Sequence, residues 1–206
     1  TGKSVLAVNL LKEFIVKGLN TSYCTKNSAP RESYLKLLSK SDLKKEVNIK
    51  QLFRSPFGLS NCANNFYDCL IVDEAHRLVK QMYRDFNGVN QIKECINASL
   101  FTVFLIDESQ RITTKDIGSV NEIANWAEKL GSSVTMNDST MLTSQFRCNG
   151  SDQYIQFINN LLQIGDSVDI DFSELNFDFK VFSNPNELRD TLREKNQNTN
   201  KARITA

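Results

Sequence analysis

Two separated stretches of the chain carry residue types suited to phosphate chemistry. Thr1-Gly2-Lys3-Ser4 matches the last four positions of G-x-x-x-x-G-K-[ST]. In such a loop the backbone N–H groups cradle phosphate, the lysine meets the β- and γ-phosphates, and the hydroxyl ligates Mg2+. Val5 onward has helical apolar spacing, and a helix N-terminus adds a dipole that favours an anion. Seventy positions after Lys3, the apolar run Leu70-Ile71-Val72 ends in Asp73-Glu74-Ala75-His76. An aspartate at the carboxyl end of a parallel strand faces the ligand crevice of an open α/β sheet. There Asp73 can join Ser4 in holding Mg2+, and Glu74 can polarise a water for attack on a γ-phosphate.

A second apolar run, Phe101 to Ile106, ends in Asp107-Glu108-Ser109-Gln110-Arg111. Gln110 can hydrogen-bond both a γ-phosphate and the acidic strand end, although a polar strand-to-helix loop would look the same. Leu142-Thr143-Ser144-Gln145-Phe146-Arg147-Cys148 then precedes another helical pattern. Arg147 offers a fixed charge and a planar fork suited to phosphate; its structural alternative is a helix-start pairing with Asp152.

In the order GKS, VDEAH, LIDESQR and LTSQFRC, these elements resemble superfamily 1 helicases. More narrowly, the whole of residues 1–206 resembles the Schlafen-type helicase-like P-loop ATPases of bacterial proteins. The resemblance implies a RecA-like P-loop NTPase of α/β class, three-layered with a mainly parallel sheet, followed by the beginning of a second RecA-like domain. The implied division is 1–141 for the first domain and 142–206 for a helix, an acidic connector and the start of the second. Carried over position by position, Thr1, Gly2, Lys3 and Ser4 form the end of Walker A and hold ATP, with Asp73 of Walker B completing the Mg2+ site. Glu74 would be the catalytic base, Gln110 the γ-phosphate sensor, and Arg147 a contact from the domain junction. His76 would couple the acidic strand end to Gln110, unless it is a satisfied structural histidine. Lys26 and Asn27 stand in the motif Ia position and would face nucleic acid. The first half of the Walker A loop is not present, and both ends read as cut. ATPase and helicase activity is therefore expected of the intact parent, together with its other domains, and only weakly of this stretch.

The elements needed to position these residues are legible. Val5 to Val16 reads as a helix stopped at Gly18, and Thr21 to Thr25 as a short buried strand. Pro30 opens another helix to about Ser39. Strands at Cys69–Val72 and Phe101–Ile106 lack polar alternation, which suits parallel strands covered on both faces. Helices are expected at 89–97 and 121–130, the latter closed by Gly131. Short strands follow at 133–136 and 140–143, then a helix at 150–164 ended by Gly165. Residues 166–180 hold five acidic side chains and one lysine, a connector. A strand at 177–182 and a helix from Asn184 and Pro185 to about Lys195 complete the pattern. Strands alternating with helices imply βαβ units and a mainly parallel sheet.

Composition bounds the remaining readings. Lys plus Arg is 25 and Asp plus Glu is 24, a net charge of +1, which excludes a histone-like basic coat but not a local basic groove. Residues 36–54 hold six basic and two acidic side chains and either line a nucleic-acid path or form a solvated face. The five cysteines show no C-x-x-C spacing, and with one histidine a zinc site is not expected. Cys24 and Cys69 fall in apolar strands and read as small buried hydrophobes. No run approaches a membrane span and no signal peptide is evident, so a cytoplasmic protein is expected. Two function classes stand beside an ATP-dependent DNA or RNA helicase or translocase. One is a nucleotide-dependent switch within a larger defence or regulatory protein, and the other an interaction module without unwinding activity.

Overall fold

The computed structural model describes residues 2–27, 52–80, 88–142, 152–170, 179–199 and 204. Backbone contacts divide the chain into two compact units, Thr1–Phe146 and Arg147–Ala206.

The first unit is built on helix α1 (Lys3–Val16), strands β1 (Thr21–Thr25), β2 (Phe53–Arg54), β3 (Tyr67–Asp73) and β4 (Ser99–Phe104), and helices α2 (Gln91–Asn97) and α3 (Val120–Lys129). The strands form one sheet in the order β2-β1-β3-β4, and every pairing is parallel. The chain is thus α/β, with the all-parallel sheet expected of a RecA-like domain. Leu70, Ile71 and Val72 are fully buried, which explains their uninterrupted apolar pattern: helices cover both faces. On one side Ala7 and Leu11 of α1 meet Tyr23, Cys69 and Ile71. On the other, Ile92 and Cys95 of α2 meet Cys24, Leu70 and Val72. Burying each large aliphatic side chain contributes about 2 kcal/mol, so these two layers hold the sheet.

Local signals set the helix ends. After α1, Gly18 takes φ +75°, and the Leu19 amide donates to the Phe14 carbonyl at 3.0 Å, closing the last turn as glycine in the left-handed region does. Gly131 does the same after α3 at φ +70°. The Ser119 hydroxyl caps α3 by accepting from the Glu122 amide, and the Asn90 side chain caps α2 through the amides of Ile92 and Lys93. The observed helices fall within two residues of the expected starts for α1, α2 and α3.

Three expectations change. Residues 133–136 are exposed and form no strand, and among the described residues none pairs with them. Residues 138–140 make a short 3-10 turn in place of a second strand, fixed by reciprocal bonds between Asn137 and Thr140. Local side-chain bonding has displaced extended structure there. The described part of the strand expected at 177–182 is irregular, with Val181 exposed.

The second unit contains helices α4 (Asp152–Leu162) and α5 (Pro185–Thr199). Helix α4 ends earlier than the glycine signal suggests. Gln163 takes the left-handed conformation, φ 56°, while the Asn160 side chain bonds both the amide and the carbonyl of Val168. No strand occurs among the described residues of this unit. The expected helix at 30–39 and the residues Thr1, Gln145, Arg147 and Cys148 lie outside the described residues.

Candidate active site at the carboxyl edge of the sheet

Parallel register brings the strand ends to one edge. Thr25 pairs with Asp73 and Val72 with Phe104, so Lys26 and Asn27, Asp73 and Glu74, and the residues after β4 emerge together. Helix α1 packs on β1 and β3, which delivers its first residues to the same edge.

The result joins residues distant in sequence. Ser4 Oγ donates to Asp73 Oδ2 at 3.2 Å across 69 positions. Asp73 is buried and also accepts from the Glu74 amide at 3.0 Å and from the hydroxyl of Tyr23. Lys3 Nζ lies 3.0 Å from Asp107 Oδ2 across 104 positions. Gln110 Nε2 donates to that same oxygen at 2.7 Å, and Ser109 Oγ donates to Oδ1 at 2.6 Å. Partial burial raises the Asp107 pKa, but the bonds from Ser109, Lys3 and Gln110 and the lysine charge outweigh it, holding the carboxyl below its ordinary value.

Glu74 sits in the left-handed region at φ 56°. For a non-glycine residue this is an uncommon conformation, and it occurs here at the turn into the 75–77 3-10 helix. Its Oε2 lies 3.1 Å from His76 Nε2. Burial is the main effect on His76 and lowers its pKa, against the opposing charges of Glu74 and Asp107. The imidazole is therefore neutral near pH 7, and the carboxylate partner assigns its proton to Nε2. Nδ1 is buried with no hydrogen-bond partner among the described residues.

Lys26 and Asn27 occupy a second cluster on this edge. Lys26 Nζ donates to the Arg77 carbonyl at 3.2 Å and lies 3.8 Å from Asp116 Oδ1. Arg77 Nη1 donates to Asn27 Oδ1 at 2.9 Å. The turn that carries Glu74 and His76 is thus tied to the end of β1. Sequence reasoning missed Tyr23, Asp107, Arg77 and Asp116. Asp107 carried a signal, as the first polar residue after an apolar strand. Tyr23 carried little, since an aromatic in a buried strand reads as core.

The donor set fits a divalent cation. Ser4 Oγ and Asp73 Oδ2, 3.2 Å apart, offer hard oxygen ligands. Mg2+ uses one or two such protein oxygens and takes the rest from phosphate and water. Among the described residues no group of three or more His, Cys, Asp or Glu side chains forms a metal cluster. Cys24, Cys69 and Cys95 are buried free thiols; burial pushes the Cys69 thiol up to about 11.

The family model described as Schlafen group 3, DNA/RNA helicase domain, matches residues 1–206. The chain belongs to this family. For a Schlafen group 3 helicase domain, a polar site at the carboxyl edge of a parallel sheet is where a ligand is expected. No curated protein and no solved structure gives a match. No helix among the described residues is long and apolar enough to cross a membrane.

Proposed function

We propose that this Schlafen-type domain binds ATP with Mg2+ and hydrolyses it, and that in the intact protein hydrolysis drives remodelling of a DNA or RNA strand. The observation that carries this reading is the hydrogen bond between Ser4 and Asp73 at the N-terminus of α1. It joins the hydroxyl of one motif to the carboxylate of the other, as a shared cation site requires. Ser4 and Asp73 would hold Mg2+ there, and the ion would supply positive charge to offset the charge developing on the γ-phosphate.

The chain's own residues divide the remaining work. Amides at the start of α1 face the phosphates, aided by the helix dipole. Lys3 supplies a point charge to the β- and γ-phosphates. Glu74 accepts a proton from the attacking water. Its held backbone and its bond to His76 keep the carboxylate from rotating away. Gln110 reports the γ-phosphate to the segment after β4. Arg147 and Thr1 complete the assignment from sequence alone.

The direct experiment is Glu74→Gln in the intact protein. Removal of a general base costs about 10²–10⁴-fold in turnover, so nucleic-acid-stimulated ATPase should collapse while Mg-ATP affinity stays within about threefold. Wild-type turnover in this variant removes Glu74 from the mechanism.

A second reading, a nucleotide-dependent switch that does not translocate, has one observation in its favour. Lys26 and Asn27 are engaged by Asp116 and Arg77, whereas strand contacts would need them displayed. A strand-displacement assay separates the two: ATP turnover without displacement or translocation selects the switch.

A further inference from the structure

Asp107 accepts from three side chains at the sheet edge. Two cationic or amide donors, Lys3 Nζ and Gln110 Nε2, converge on its Oδ2, and Ser109 Oγ occupies Oδ1. These donors come from two different elements, the start of α1 and the 3-10 turn Glu108–Gln110. Lysine, glutamine and hydroxyl donors around one anionic oxygen pair are the same donor types that surround a phosphate oxygen. A second anion entering beside Lys3 competes with Asp107 for those donors and is repelled by its charge.

We propose that Asp107 is a resident stand-in for the terminal phosphate: it holds Lys3 and Gln110 on one carboxylate, and the γ-phosphate of an entering nucleoside triphosphate displaces it, so both residues change partner together. This rests on the ATP-site reading above and extends it to a residue with no role there. The exchange breaks hydrogen bonds to a carboxylate and forms equivalent ones to phosphate, with no proton transferred. It gives the site a means of telling a triphosphate from a diphosphate, because only the former reaches both donors. It also moves the Ser109–Gln110 turn, whose neighbour Glu108 accepts from the Val120 amide at 2.6 Å, and so passes the change to the start of α3.

The test compares Mg-ATP and Mg-ADP affinities of the intact protein with those of Asp107→Asn, an isosteric change at a partly exposed side chain. Removing the competing charge should tighten ATP by about fivefold, the size of one partly buried charge contact, and leave ADP within about twofold. Equal tightening of both nucleotides, or no change in either, overturns the proposal. A readout on the wild type needs no variant. The side-chain amide resonances of Gln110 should move on adding a nonhydrolysable ATP analogue and not on adding ADP; resonances that ignore the analogue overturn it equally. Should the wild-type protein bind neither nucleotide, the ATP-site reading itself fails and this one falls with it. Wild-type binding with an unresponsive Asp107→Asn variant removes only the exchange.

Discussion

Tyr23 supports the candidate site from within the core. Its ring is fully buried and packs against Phe53 at a centroid distance of 5.4 Å, while its hydroxyl donates to the Asp73 carboxylate. That carboxylate has two acceptor oxygens, one oriented by Tyr23 and Ser4 and the other by the Glu74 amide. Orientation by such a supporting hydrogen bond is worth about tenfold or more in metal affinity. Tyr23→Phe keeps the ring and loses the donor. The Mg2+ concentration for half-maximal ATPase should rise about tenfold, at a stability loss of about 1 kcal/mol. A magnesium titration on the variant checks this, and an unshifted midpoint leaves Tyr23 with a packing role alone. At this scale the sequence was legible where chemistry and local pattern coincide. Asp73, Glu74 and Gln110 stand out because charged and polar types follow apolar runs, and Lys3 and Ser4 because they complete a G-K-[ST] triplet. Tyr23 and Asp116 do not, since their partners lie 50 and 90 positions away; strand register brings Tyr23 to Asp73, and Asp116 is placed by its bridge to Val79.

At the scale of elements, helix termini and buried strands were legible for opposite reasons. Gly18 and Gly131 act through bonds to their own neighbours, so a local reading finds them. Strand β3 shows the apolar run Cys69–Val72 because helices cover both faces of the sheet there, whereas β4, expected to be covered on both faces, lies at the end of the strand order and leaves Leu100 and Phe101 exposed. Segments 133–136 and 140–142 have β-like composition, yet among the described residues no strand pairs with them, and pairing is a property that no single segment contains. The same distinction applies to the turn after β3. Gly118 passes so close to it that an added Cβ would lie 1.9 Å from the Ala75 carbonyl oxygen and 2.5 Å from the His76 Cα. The Ile117 amide meanwhile donates to the Leu78 carbonyl at 2.8 Å, so neither strand of backbone can retreat freely. Gly118→Ala should therefore destabilise by about 1–3 kcal/mol, the usual cost of overpacking, and should displace the turn that holds Glu74. Gly58 has open space around it and no positive φ, making Gly58→Ala the matched control. Thermal melting together with ATPase rates decides: equal behaviour of the two variants would mean that the 75–77 turn tolerates the shift.

For the molecule as a whole, alternation of strands with helices was enough to anticipate a parallel α/β sheet, but strand order depends on crossovers that periodicity does not encode. The partition into Thr1–Phe146 and Arg147–Ala206 is likewise a matter of which residues meet. Net charge belongs to this scale too. At +1, the chain has no overall field to draw in nucleic acid, so binding must depend on local clusters. On the described edge, Lys26 and Arg77 are already paired within the protein, which leaves the basic run at 36–54 as the strongest local source of positive charge in the sequence. Each phosphate neutralised releases condensed counterions and adds about 0.9 to the slope of log affinity against log salt on duplex DNA, or about 0.7 on single strands. Replacing Lys44 and Lys45 with alanine should thus flatten the slope by about 1.8 on duplex and about 1.4 on single strands. Nucleotide affinity should be unchanged, because the proposed ATP site draws on other residues at the sheet edge. Binding titrations across a salt series on both substrates measure the two slopes. A double variant with the wild-type slope would assign residues 36–54 to a solvated face and move the nucleic-acid contact elsewhere.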